Sequence, residues 1–89
     1  MKGISIRLFL MPDVLAKMVT AVATPKFRRF VRPPETKPAG EFHQVDIRIL
    51  ESYDVWETKA GGEPHLIEKV AVTREMVGEL FDLLGIFPR

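Results

Sequence analysis

Three stretches of the chain alternate apolar and polar residues with a period of two, a pattern typical of strands with one buried face. The first, residues 3–10, carries isoleucine or leucine at every even position. The second begins at Phe42, and its alternation slips at Leu50-Glu51, where we expect a bulge or bend. A Gly-Gly-Glu-Pro turn separates it from the third, residues 66–72, so these two strands are predicted to form a hairpin.

Apolar residues at helical spacing predict two longer helices. The first helix is expected over residues 12–23, because Pro12 suits the first helical turn and a stripe of valine, leucine and methionine follows. The second is expected over residues 73–84. Thr73 is a good N-cap, and Gly85 stands where a left-handed residue usually ends a helix.

Between these elements lies a basic stretch, residues 26–38, with five cations and one acid. Phe27, Phe30 and Val31 fall on one helical face, so we predict a short helix over residues 25–32, capped by Thr24, with its arginines turned outward. An edge strand is the alternative interpretation. The prolines that follow predict an exposed, extended connector over residues 33–40.

The resulting order is β-α-(α)-β-β-α, and the predicted fold class is α+β, with a three-stranded sheet and helices on one face. This order resembles the K-homology RNA-binding fold of type I in topology. The loop of that family carries Gly-x-x-Gly, whereas this chain has Ala21-Val-Ala-Thr-Pro25 there. The backbone therefore lacks the loop with which the family clamps nucleotides, and no functional residue carries over from the resemblance.

The length and the charge of the chain limit the classes of protein to which it can belong. With 89 residues we expect one domain over residues 1–89 with a small core, for which a second copy of the chain is a plausible supplement. The net charge of +1 conceals a split, because residues 1–40 carry +6 and residues 41–89 carry −5. No cysteine is present, and we expect a cytoplasmic protein with neither a signal peptide nor a membrane span.

Residues that could carry catalysis do not converge in the sequence. His43 and Asp46 stand three apart on a strand and so point to opposite faces, which argues against a metal site. The same spacing separates Asp54 from both Glu51 and Glu57. Motifs for phosphate binding or an activated nucleophile are missing. We therefore expect no enzyme activity, no catalytic residue, no metal and no cofactor.

Surfaces remain as the place for function. We expect a non-enzymatic binding protein, such as an accessory subunit, regulator or inhibitor, whose partner is another protein. The alternative is a small nucleic-acid-binding module that uses the basic stretch on phosphates. A homodimer is also open, because a small sheet has free edges. Trp56 is interpreted equally well as core or as contact surface. The predicted partner-binding residues are Lys26, Arg28, Arg29, Arg32 and Lys37, with Tyr53 and Trp56 second.

Overall fold

The computed structural model describes residues 3–86. Three helices and five strands are found in this range, in the order β1-α1-α2-β2-β3-β4-β5-α3. Their bounds are β1 Gly3–Leu10, α1 Pro12–Val22, α2 Pro25–Arg28, β2 Glu35–Ala39, β3 Phe42–Leu50, β4 Ser52–Glu57, β5 His65–Ala71 and α3 Arg74–Leu84. The fold is therefore of the predicted α+β class.

A three-stranded antiparallel sheet forms the centre of the molecule, with β3 between β1 and β2. Val45, Ile47 and Ile49 of β3 are buried on one face, whereas Arg48 between them is exposed. The helices supply the residues that cover this inner face, including Met18 of α1 and buried leucines of α3. Helices on one face of the sheet are thus confirmed, and the other face, here called the outer face, carries mainly polar and charged side chains.

Strands β4 and β5 form a separate two-stranded hairpin, here called the arm and defined as residues 52–71. The arm gives the molecule an elongated shape of 52 × 26 × 23 Å. The radius of gyration is 15.2 Å, whereas about 12 Å is typical of a compact domain of this length. The arm therefore projects from the body, and most of its side chains are exposed.

The predicted connector over residues 33–40 contains a strand. β2 is extended and largely exposed, as expected of the connector, but it also pairs with β3 from Glu35–Asp46 to Ala39–Phe42. A left-handed Gly40, with a φ of 69°, allows the chain to turn back into β3 within two residues. Pro38 is tolerated because β2 is an edge strand. The three-stranded sheet therefore includes this segment in place of the predicted third strand, residues 66–72.

The predicted helix over residues 25–32 is correct at its start and too long at its end. Helix α2 ends at Arg28, and the next residues bond to β3, with Arg32 N–H donating to the Arg48 carbonyl at 2.9 Å. Val31 forms a bridge with Ile49 and is buried, as are both phenylalanines of the stretch. The inward stripe was therefore predicted correctly. Its final residues satisfy their backbone groups at the sheet edge.

Thr24 is the N-cap residue of α2, as predicted, but its side chain makes no capping hydrogen bond to that helix. Its hydroxyl donates to the carbonyl of Ala21 at 2.6 Å, and so closes the end of α1. The slip at Leu50-Glu51 is likewise larger than the predicted bulge, because the chain leaves the first sheet there and starts the arm. The predicted hairpin itself is confirmed. With two further strands and two sheets, the element order departs from the K-homology topology.

Helix α3 has the caps that its sequence predicts. The Thr73 hydroxyl accepts from the Met76 N–H at 3.3 Å, and Gly85 ends the helix with a φ of 73°. No helix among residues 3–86 is long and apolar enough to cross a membrane.

Two glycines of this helix give opposite expectations for the same substitution. Gly85→Ala is expected to lower the free energy of unfolding by about 1 kcal/mol, because alanine is strained at positive φ. Gly78→Ala is expected to raise it by about 0.5–1 kcal/mol, because Gly78 lies inside the helix and an added Cβ meets nothing within 4 Å. Urea denaturation of both variants tests this, and the same sign for both would contradict the assigned helix end.

Candidate functional site

The five cations predicted for partner binding lie in three different settings. Lys26 is engaged within the chain, since its Nζ lies 2.5 Å from Glu79 Oε2 of α3 and 5.7 Å from the centroid of the Phe27 ring. This exposed ion pair joins α2 to α3. Lys26 therefore serves the packing of the body and is less free than the arginines beside it.

Arg28 and Arg29 are exposed at the end of α2, directly before the buried Phe30. Arg32 is also exposed, and one of its guanidinium nitrogens donates to the Arg28 carbonyl at 3.4 Å. No ion pair to these three arginines is found among residues 3–86. Of the five cations predicted for partner binding, these three arginines lie close together in the chain and have no ion pair among the described residues.

Lys37 belongs to the outer face of the sheet, where it stands opposite Gln44. A polar depression of about 230 Å³ beside it is lined by Arg7, Glu35 and Asp46 among others. Arg7 Nε donates to Asp46 Oδ1 at 2.9 Å, and this hydrogen bond lowers the pKa of Asp46 and raises that of Arg7. The charges of Arg7 and Asp46 largely neutralise each other, so the depression has no strong electrostatic attraction for a charged ligand.

Two phenylalanines on the outer face were not predicted as site residues. Phe9 pairs with Gln44 across β1 and β3, and Phe42 lies two residues away on the same face of β3. The two rings are therefore diagonal neighbours, and both are exposed. The alternation in β1 already placed Phe9 on the face opposite the isoleucines. The sequence could not show that this face has no covering layer.

Tyr53 and Trp56 do not share a surface. They stand three residues apart on β4 and therefore project from opposite faces. Tyr53 is half-buried at the base of the arm and stacks on Phe30, with ring centroids 6.4 Å apart and planes at 23°. Trp56 lies farther along the arm and is 56% exposed. Tyr53 therefore anchors the arm to the body, and Trp56 is the exposed residue of the pair.

Trp56 belongs to an apolar group that we call the tip cluster, formed with Leu66 and Ile67 of β5. Trp56 and Leu66 are direct cross-strand partners and so share one face, and Ile67 is the extra residue at the irregularity beside them. Their exposed fractions are 56%, 50% and 58%. Three large apolar side chains on a thin projection are thus left to solvent.

An apolar groove of about 640 Å³ lies at the other end of the arm, where it joins the body. We call it the base groove, and its apolar wall consists mainly of Ile4, Leu50, Val72, Val77, Gly78 and Phe81. Glu51 and Arg74 provide its charged groups. The groove is assembled from β1, β3 and α3, so no local sequence pattern indicates it.

The arrangement offers exposed apolar surfaces for contact. Among residues 3–86 no three histidines or acids lie together as metal ligands would. The arm, with an apolar tip cluster and an apolar base groove, is the most distinctive feature of the described chain. Comparisons with family models, with curated proteins and with solved structures find no match to this chain, so its function is inferred from this geometry.

Proposed function

We propose that the protein is a non-enzymatic binding protein that acts through protein–protein contact, with the arm as its contact element. The observation that carries this proposal is the tip cluster. Trp56, Leu66 and Ile67 are each half or more exposed on a projection that no other part of residues 3–86 covers. Tryptophan is among the residues most enriched at the energetic centre of protein interfaces.

The architecture of the arm supports the same proposal. An isolated two-stranded hairpin is only marginally stable in water, and extra strands or a covering layer normally stabilise it. Here the base of the arm is held by the Tyr53–Phe30 stack. It is also held by a hydrogen bond that the Val72 N–H donates to the Glu51 carbonyl at 2.9 Å. Within the part of the chain that the structure describes, the outer half is held only by the pairing of its own two strands. A bound protein would supply the missing layer.

Within this proposal the basic stretch has a supporting role. Arg28 and Arg29 directly precede Phe30, whose ring stacks on Tyr53 at the base of the arm, so these cations lie on the segment that anchors the contact element. Exposed charges at the rim of an interface mainly raise the rate of association and select partners by charge. An accessory subunit, regulator or inhibitor needs a contact of this kind and no catalytic group.

Site-specific photo-crosslinking in the cells that carry the gene tests the proposal. A photoreactive amino acid replaces Ile67 in the tip cluster, and a matched variant replaces Val19, an exposed valine on α1. We expect a crosslink to a polypeptide from position 67 and a much weaker one from position 19. Equal yields at both positions, or none from position 67, would refute the arm as contact element.

Single-stranded nucleic acid is the second candidate ligand, because the outer face favours it in one respect. Phe9 and Phe42 expose two rings on one sheet face, and Arg48 and Lys37 lie on the same face. Exposed aromatic rings on a sheet can stack unpaired bases, and nearby cations can neutralise phosphates. Asp46 and Glu35 on this face oppose such binding, which is why this candidate stands second.

A retardation assay at low salt separates the two candidates. If the second one is correct, the chain retards a single-stranded oligonucleotide, binding falls steeply with salt, and Phe9→Ala weakens it about 5-fold or more by removing one stacking contact. Leu83→Ala, which removes an equally exposed leucine from α3, serves as the control. Absence of retardation at low salt eliminates the nucleic-acid candidate.

A further inference from the structure

We propose that the protein that covers the arm is a second copy of this chain, and that the tip cluster of each copy occupies the base groove of the other. This inference rests on the proposed function and names the partner. The chain carries both halves of the contact, an apolar projection at one end of the arm and an apolar recess at the other.

The position of these two features suits a two-fold axis. In an interface between identical chains related by such an axis, every contact occurs twice. If the tip cluster of one copy contacts the base groove of its partner, the tip cluster of the partner also contacts the base groove of the first copy. The strands of the arm have six and seven residues, which corresponds to about 20 Å. When two arms lie side by side in opposite directions, each tip reaches the base of the other arm.

The size and chemistry of the two surfaces agree. The base groove has a volume of about 640 Å³, within the range that buries a ligand of drug size, and its wall is largely apolar. A tryptophan, a leucine and an isoleucine are an appropriate filling for such a recess. The pairing would also give each two-stranded arm a neighbour, which the isolated hairpin lacks.

Charge favours the same arrangement. The arm carries four acids and two lysines, a net charge of −2, so the remainder of the chain, whose total is +1, carries +3. Glu57 and Glu63 near the tip have no ion pair among the described residues, and neither has Arg74 in the base groove. Copies arranged tip to base therefore bring the acids of one tip towards Arg74 of the other copy, whereas a tip-to-tip contact would bring like charges together.

Sedimentation equilibrium of the purified full chain is the test. We expect a monomer–dimer equilibrium for the unchanged chain. Leu66→Asp in the tip cluster is expected to weaken dimerisation about 100-fold, because the loss of a central apolar contact occurs twice in a two-fold dimer. Leu83→Asp is the matched control, since Leu83 is 60% exposed on α3, and it should leave dimerisation unchanged.

A second variant tests the same contact by changing the base groove instead of the tip cluster. Gly78→Leu places a side chain into the base groove, and no heavy atom lies within 4 Å of the added Cβ, so the fold should accept it. This variant should also be monomeric. Mixed with the Leu66→Asp variant it should form a mixed dimer, because an intact tip then meets an intact groove at one of the two contacts. Circular dichroism of each variant verifies that it is folded.

The possible outcomes separate this inference from the proposed function. Monomeric sedimentation of the unchanged chain at high concentration would overturn the second-copy proposal. A dimer that persists in both folded variants would also overturn it, since the contact would then lie elsewhere. If the photoreactive residue at position 67 nevertheless crosslinks to a different protein, the proposed function stands and only the identity of the partner changes.

Discussion

Replacement of Phe30 by alanine is expected to lower the free energy of unfolding by about 3–5 kcal/mol. Phe30 is 2% exposed, its ring meets that of Phe27 edge to face at 6.2 Å, and it stacks on Tyr53 at 6.4 Å. Alanine would leave a cavity where the basic stretch, the body and the base of the arm meet. Since a domain of 89 residues has a total stability of roughly 4–13 kcal/mol, this loss is a large fraction of the whole.

Urea denaturation followed by circular dichroism measures this effect, and Phe9→Ala is the control. Both variants remove the same phenyl ring, but Phe9 is exposed on the outer face and its loss should cost less than about 1 kcal/mol. Comparable losses for the two variants would show that Phe30 does not occupy the core described above. Loss of Phe30 should also release Tyr53 and so increase motion at the base of the arm.

Replacement of Ile47 by aspartate is expected to unfold the protein or to lower its stability by roughly 4 kcal/mol or more. Ile47 stands at the centre of β3, is 1% exposed and faces the helices. A carboxylate there would lose its water, and no buried cation is present among residues 3–86 to compensate it. Circular dichroism and the urea midpoint report the outcome.

Arg48→Asp is the matched control, because Arg48 is the next residue of β3 and lies on the outer face. The same aspartate in the same strand should change stability by less than about 1 kcal/mol there. A severe loss in the Arg48 variant, or a mild one in the Ile47 variant, would contradict a sheet that is covered by helices on one face alone.

The parts of the fold that depend on local patterns were predictable. Strand β1 was placed by alternation, α1 by Pro12 and its apolar stripe, and α3 by Thr73 and Gly85, since each signal lies within the element it specifies. Strand β2 was missed because an exposed edge strand needs no apolar alternation. Its prolines also resemble those of a linker.

The remaining differences come from long-range contacts. The end of α2 was set wrongly because Val31 pairs with Ile49 in a β-bridge, a pairing that helix periodicity cannot reveal. The alternation of β5 indicated one buried face, but none of the described residues forms a layer beneath the outer half of the arm, so Leu66 and Ile67 are exposed. The base groove likewise arises where distant segments meet. The basic stretch was visible in the sequence from the start, whereas the contact surface that we propose was visible only at Trp56.

The central claim is that the tip cluster is covered by a protein when the chain is in its native setting. Hydroxyl-radical footprinting measures this directly, with Trp56 as the probe and Met11, an exposed and oxidisable residue before α1, as the internal reference. The labelling of Trp56 relative to Met11 is compared between the dilute purified chain and the chain inside cells. We predict a severalfold fall in this ratio inside cells, and an unchanged ratio would contradict the account.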